Sequence, residues 1–479
     1  MNELAHSAIR AALEAGADYA DARFNHVLTE DLTLRNGNLA EAGVREDSGL
    51  GVRVLKDGCF GFAAAPVGDV SQAQALGARA VRAAKKLATA REVPVRMSAE
   101  SGGVKEFRTP YLTDPFGVPL QDKLDLLARC DEAMKGRDEV VVREAMLSSR
   151  REEQWQVSSE GAEVHQVLLR TGGGISCTAA ANGTTERRSW PASFGGNYKS
   201  AGWEYVESLD LPSHGERMRD EAVQLCFADP CPAGKRDLIL MGNQLMLQIH
   251  ESVGHPNEID RVHGHEVDLA GASFATTEKL DQFQYGSDIV NLVADSTIPG
   301  GLDTRGFDDD ASPSKRWNVV ENGVFRGYHT NREWAGALEQ AESNATNRAE
   351  GWFNPPIIRI TNLSLMPGTW KLDDLIADTE DGVLCDTVKM WSIDQRRLNF
   401  QFTTEIGWEI KDGKLGRMLK KPTYQGTTPE FWRSCDAICD ESEWELWGVA
   451  NCGKGNPMQV AEMSHGASPA RFRGMTFVE

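Results

Sequence analysis

Nowhere in the 479 residues do apolar side chains run on for the roughly 18 positions that a membrane-spanning helix demands. A basic surface is lacking too. Lys and Arg number 51 against 71 Asp and Glu, a formal net charge of −20, whereas binding a phosphate backbone takes clustered cations that release counterions. No nucleic acid and no membrane are therefore expected as partners. The most visible basic pairs, Arg150-Arg151 and Arg187-Arg188, are interleaved with Glu and read as solvated strand or turn faces. The nine cysteines form no disulfide framework, being odd in number and irregular in spacing, which suits a reducing compartment. Met1 to Phe24 has neither the basic start nor the apolar core of an export signal. The expected location is the cytoplasm.

What the chain does contain is enough apolar residue, 41%, for more than one core. Helices are expected over residues 4–15, 70–87, 120–134 and 215–225, with hairpin turns at Asn36-Gly37 and Asp57-Gly58. A β-rich run from Glu139 to Cys177 follows, with turns at Glu160-Gly161 and Asn182-Gly183. Pro and Gly crowd Asp229 to Gly234 and mark the clearest boundary. Residues 1–230 thus form an N-terminal α/β domain, with 1–110 and 111–230 as two possible subdomains, and residues 231–479 form a β-rich C-terminal domain. The expected class is α+β. No solenoid period is visible.

The chemistry concentrates in His250-Glu251-Ser252-Val253-Gly254-His255. Imidazoles hold a metal, and a neighbouring glutamate can take the proton of a bound water. With 10 His and 71 acidic residues, chance produces this pattern on the order of 0.03 times in such a chain. The spacing departs from H-E-x-x-H, because positions five apart stand roughly 140° apart on an ideal α-helix. The helix expected from Gln244 to Val253, with Asn243 as a candidate N-cap, must therefore end or widen into a π-turn between the histidines. Gly254 and Pro256 give it the means. The competing reading is a pair of solvated histidines at a helix C-terminus.

A catalytic zinc site normally has three protein ligands. His263, His265, Glu258, Asp260 and the cysteines are the candidates. Cys59, Cys130, Cys177, Cys226 and Cys385 lie in apolar context and read as core residues. Cys435 and Cys439, four apart, could share a helix face. Cys452 stands in the glycine-rich stretch Asn451-Cys452-Gly453-Lys454-Gly455, which reads as a loop exposing a thiol that Lys454 would help to ionise.

Several separated segments resemble the TldD/PmbA family of zinc metalloproteases. His250 to His255, followed by Glu258 and Asp260, is similar to the family's H-E-x-x-G-H-x-x-E-x-D. Asp308-Asp309-Asp310-Ala311-Ser312-Pro313 resembles its D-D-E-G-x-P segment, and Glu321 to Tyr328 its E-x-G-x-x-x-G-Y segment. Cys452-Gly453-Lys454-Gly455, with Ser464-His465-Gly466, looks like its C-G-K-G and the loop beyond. Gly49 to Val54 and Asp57 to Ala63 resemble its first domain. Two departures stand out: Pro256 follows the second histidine where the family often has glycine, and Ala311 replaces the glycine of the acidic turn.

The resemblance implies Zn2+ held by His250, His255 and Cys452, with Glu251 as the base that activates a zinc-bound water. It also implies a barrel-like C-terminal metalloprotease domain. Glu258 and Asp260 are expected to orient imidazole N–H groups. His263 and His265 are read as loop residues, and Tyr328 and His329 as strand-end packing. The implied activity is hydrolysis of unfolded or extended peptides, which enter as a strand. The implied assembly is a homodimer, or a heterodimer with a homologous subunit. Two alternatives are an amidase acting on a small-molecule or modified-peptide intermediate, and a non-catalytic zinc-stabilised partner.

Overall fold

Asn36, Gly37, Asp57 and Gly58 all have positive φ, the backbone of tight hairpin turns. They join the strands Tyr19–Arg35, Asn38–Lys56 and Cys59–Ala65. The turn at Glu160-Gly161 likewise joins Val140–Ser158 to Ala162–Ala181, and Tyr19–Arg35 pairs antiparallel with Val140–Ser158. Strands from both sides of residue 110 thereby share one eight-stranded sheet. The computed structural model describes residues 1–90, 93–99 and 102–478 of the chain.

Alternation along Tyr19–Arg35 divides the roles of its two faces. Ala20, Ala22 and Phe24 pack under the helices Asn2–Glu14 and Val70–Ala88, and Leu32 and Leu34 under Leu120–Ala133 and Gly215–Phe227. The first two helices approach closely: a Cβ on Gly77 would lie 2.2 Å from the Ala8 carbonyl oxygen, so only glycine fits there. The odd-numbered Asp21, Arg23 and Asn25 are also buried, but against polar partners. Arg23 pairs with Asp309 at 3.0 Å, while Arg53 pairs with Asp21 at 2.8 Å and Asp310 at 2.6 Å. These contacts bind the first sheet to the acidic turn of the C-terminal half. Within that turn Ala311 has φ 58°, a left-handed conformation that favours the glycine it replaces.

Five C-terminal strands close on themselves. Gly234–Leu240, Ala470–Val478, Thr423–Thr427, Asn399–Lys411 and Asp381–Ile393 pair in that order, and the last pairs back to the first. The class is the expected α+β with a C-terminal barrel. Leu238, Leu240, Phe400, Phe402, Tyr424 and Phe472 fill its core, each worth about 1.5–3 kcal/mol of burial. A smaller sheet of Leu292–Asp295, Arg316–Glu321, Val324–Phe325 and Leu363–Leu365 lies beside it, as does the hairpin Glu445–Lys454 with Gln459–Ala467.

Two local expectations change. Cys435 and Cys439 do not share a helix: the helix ends at Arg433, and a strand runs over Cys435–Ile438. A register irregularity between Cys435 and Ala437 leaves the two thiols in separate cores. Arg188 is not on a solvated face. It is 1% exposed and reaches Glu221, Asp386 and Glu405, because the helix Gly215–Phe227 and two barrel strands supply carboxylates where a solvent face was expected. Among the described residues no helix is long and apolar enough to cross a membrane.

Candidate metal centre

The first barrel strand ends at Leu240, and the helix Gly242–Ile249 follows with every residue buried. Its N-cap is Met241, without a side-chain cap. Asn243 lies inside the helix, and its amide is bound to Thr387 and the Pro191 carbonyl. Directly after Ile249 the backbone widens into a π-helical turn over His250–Gly254, in which the His255 N–H bonds the His250 carbonyl five residues back. The wider turn places positions five apart on one face. Gly254 lets Ile360 pack close, since a Cβ there would meet Ile360 Cδ1 at 2.7 Å and the side chain would have to shift. His255–Asn257 continues as a 3₁₀ turn with Pro256 in its first turn, where a missing N–H costs nothing.

The π-turn brings the two imidazoles together, with ring centroids 4.7 Å apart. Cys452 completes the group: one donor atom from each of His250, His255 and Cys452 lies within 4.8 Å of the others. Cys452 is 5% exposed and belongs to the strand Glu445–Lys454, so the expected exposed loop is a buried strand. Cys452 Sγ and His255 Nε2 are 3.6 Å apart. Tetrahedral ligation with bonds of about 2.0–2.3 Å separates such donors by about 3.6 Å. The donor set and its spacing fit a divalent metal.

Hydrogen bonding decides which nitrogens are free. His465 Nδ1 lies 2.8 Å from the Leu363 carbonyl, which can only accept, so His465 donates there and its Nε2 carries a lone pair. That Nε2 is 2.8 Å from His250 Nδ1, which must then donate. His250 is left with its Nε2 lone pair for the metal. His255 Nδ1 is 2.8 Å from Glu258 Oε2, leaving its own Nε2 toward Cys452. Burial pushes His250 down to about 4, so the imidazole is neutral and able to ligate near neutral pH.

Charges around the site are paired. Glu258 lies against the His255 imidazole, whereas Asp260 is turned to Lys454: both its oxygens take Lys454 Nζ at 2.8 Å. Lys454 also lies 3.2 Å from Glu258, so it neutralises carboxylates instead of the thiol. The thiol's cation is Arg359, with Nη2 at 3.2 Å from Cys452 Sγ and 2.5 Å from the Cys452 carbonyl. Burial raises the thiol, but His255 and Arg359 outweigh it and bring the net shift below the ordinary value. Burial likewise raises Glu258, and Lys454 and His255 hold it well below the usual carboxylate range.

Glu251 is 6% exposed. Trp391 Nε1 donates to its Oε1 at 2.9 Å, and Arg397 Nη1 donates to its Oε2 at 2.7 Å. Burial raises this carboxyl, while His255, Arg397 and the Trp391 N–H outweigh it and bring the net shift below the ordinary value. His263 and His265 sit on the Trp334 ring, outside the ligand group. Tyr328 packs on Phe325 and donates to the Ala275 carbonyl, and His329 packs on Trp317. His465, Arg359, Trp391 and Arg397 were not picked out as site residues from the sequence. Only His465 had a signal, its place in the segment Ser464-His465-Gly466.

The comparisons with known proteins agree over nearly the whole length. Models of the PmbA/TldA metallopeptidase family match as domain 1 over residues 20–88, as central domain over 113–225 and as C-terminal domain over 234–478. A metalloprotease of Methanocaldococcus jannaschii is 28% identical, over 92% of this chain and 93% of its own. A metalloprotease TldD homolog of Haemophilus influenzae is 26% identical, over 91% and 88%. A crystal structure described as a proposed modulator of DNA gyrase from Thermotoga maritima shares the fold, with a TM-score of 0.77 at 18% identity and 100% of both chains covered.

Proposed function

The chain belongs to the PmbA/TldA metallopeptidase family, and from that premise we propose that it is a zinc-dependent hydrolase of peptide bonds in unfolded or extended peptides. The observation that supports this reading is the convergence of His250, His255 and Cys452 beside a buried, ionised Glu251. Two imidazoles and a thiolate suit zinc better than the oxygen-seeking Mg2+ or Ca2+. Held by these three side chains, the ion would supply Lewis acidity toward the scissile carbonyl and the attacking water.

The protein's own groups do the rest. Glu251 accepts one proton from the attacking water at a carboxylate oxygen and returns it to the amide nitrogen as the C–N bond breaks, a role that contributes about 10² to 10⁴ in rate. Trp391 and Arg397 hold that carboxylate from both oxygens. Arg397, 2.7 Å from Glu251, would set a cation near the negative charge that grows on the substrate's carbonyl oxygen. His465 and Glu258 orient the two imidazoles, and Arg359 offsets the thiolate charge.

The test is Glu251→Gln, assayed for metal content and for cleavage of an unstructured peptide. The expected result is full zinc occupancy with hydrolysis reduced at least 10²-fold. A variant as active as the parent would remove Glu251 from the mechanism, and wild-type activity confined to small amides would favour the amidase alternative.

A further inference from the structure

A groove of about 970 Å³ runs between the helices Leu120–Ala133 and Trp203–Ser208 of the central domain. That is the upper end of the volumes that take a whole ligand, roughly 300–1,000 Å³. Neither a metal ligand nor Glu251 lines it. Trp203, Val206 and Leu211 are buried and form its apolar floor with the half-buried Leu126, and Leu112 stands at its edge, 87% exposed.

Four exposed carboxylates rim this floor. Asp122, Asp125, Glu207 and Asp210 have no ion-pair partner among the described residues, and Arg129 is the single cation in the lining. A fifth acid, Asp114, is already taken by Arg151 at 2.5 Å. Local structure accounts for Asp122, which sits in the first turn of its helix where the dipole favours it. It does not account for the others. Glu207 lies in the last turn of its helix, where a carboxylate is disfavoured. Asp210 caps no backbone N–H of the turn Leu211–His214 that follows it, and Asp125 takes only the Gln121 amide, at 2.8 Å.

Trp203 supplies an independent observation. It is 7% exposed, with Lys123 Nζ facing its ring 5.9 Å from the centroid, and its indole N–H meets no acceptor among the described residues. A buried indole usually finds one, so the groove presents a donor at its floor and carboxylates at its rim. A metal ion does not suit these groups: among the described residues, side chains close enough to share one are found at His250, His255 and Cys452.

We infer that this groove docks a basic, extended segment of another polypeptide. Lys or Arg heads meet the four carboxylates, their aliphatic stems lie on Leu126, Val206 and Leu211, and a main-chain carbonyl accepts from the Trp203 indole. A protonated polyamine would match the rim but brings no acceptor for the indole. The site is separate from the metal centre and stands whether or not the peptidase reading does.

The experiment measures fluorescence anisotropy with the full-length, zinc-loaded protein carrying Glu251→Gln, so that no probe is cut. The probe is a labelled unstructured peptide of Arg interspersed with Leu and Gly, with matched peptides in which Ser or Glu replaces Arg. Expected is binding of the Arg peptide above both controls, weakened by added salt. Asp125→Asn combined with Glu207→Gln should weaken it by about 3- to 25-fold, up to about fivefold per exposed pair. Trp203→Phe keeps a ring but removes the N–H, and should cost about 2- to 10-fold. Melting temperature and zinc content report whether each variant is folded, and the two exposed carboxylates can be replaced without touching a core. Unchanged affinity in the carboxylate variant or in a folded Trp203→Phe overturns the site. Spermidine bound as tightly as the peptide, with the same loss in the carboxylate variant, would assign the rim to a free polyamine and overturn peptide docking.

Discussion

Arg397 Nη1 lies 2.7 Å from Oε2 of Glu251, a residue 146 positions earlier in the chain. The guanidinium is carried by a turn that Asp394 closes through the backbone N–H groups of Arg396, Leu398 and Asn399, and that Thr428 Oγ1 ties down at the Arg397 carbonyl. Its Nε is buried with no hydrogen-bond partner among the described residues. An unmet buried donor costs about 1–3 kcal/mol, which is recovered if substrate charge develops in front of it. Arg397→Gln is expected to cut kcat/KM by about 10²- to 10³-fold with zinc content intact, and Arg397→Lys to regain part of it. Equal kinetics for Arg397→Gln and wild type would limit Arg397 to holding the turn.

His465 determines the tautomer of His250 without reaching the ligand position itself. His465→Phe should weaken zinc binding about 10- to 100-fold in competition with a chelator. His465→Gln keeps an acceptor for His250 Nδ1 and should restore part of that affinity. No difference between the two variants would mean that the ring only fills space.

Arg359 is the guanidinium on Cys452, and it also binds the Gln459 carbonyl at 2.9 Å. Arg359→Met leaves a buried thiolate with less charge balance, so zinc affinity should fall about tenfold or more. Cys452→Ser should lose the metal outright. Undiminished metal content in Cys452→Ser would take the thiol out of the ligand set.

Glu462 joins the barrel side to Arg150 and Arg170 of the first sheet. Burial raises its carboxyl, but Arg150 and Arg170 win and hold it at about 2, against an ordinary 4.5. A depressed carboxyl stabilises the fold above its unfolded value, and the contribution disappears as pH falls through the folded one. The salt bridges should therefore stabilise fully above about pH 4.5 and be lost on the way to pH 2, with at most about 3 kcal/mol at stake. Urea titrations of Glu462→Gln should show lower stability than wild type at pH 7, with the two curves converging toward pH 2. A gap that stays constant with pH would assign the loss to packing.

The segment from His250 to His255 was legible because its chemistry is local. Two histidines five apart can share a metal only if the helix ends or widens between them, and the π-turn is the widening. Hairpins at Asn36-Gly37 and Asp57-Gly58 were legible for a similar reason, since positive φ is a property of the turn residues themselves. Cys452 entered through family resemblance, and its setting was misread: a glycine-rich stretch looked like a loop, yet pairing with Gln459–Ala467 made it a buried strand. Lys454 was credited with the thiolate because it is near in sequence. In the fold it shares a strand face with Cys452, but its ammonium is taken by Asp260 and Glu258 instead.

The sequence by itself determined the elements, the turns, and the presence of two imidazoles and a carboxylate within one helical segment, because periodicity and backbone preference act over a few residues. Only the tertiary structure decided which charges meet. Arg359 on Cys452, Arg397 and Trp391 on Glu251, and His465 on His250 are pairs separated by 93 to 215 positions. Strand register and barrel closure bring them within hydrogen-bond distance. Burial then makes each pairing count, because a charge removed from water must be met by a partner of opposite sign or by a hydrogen bond.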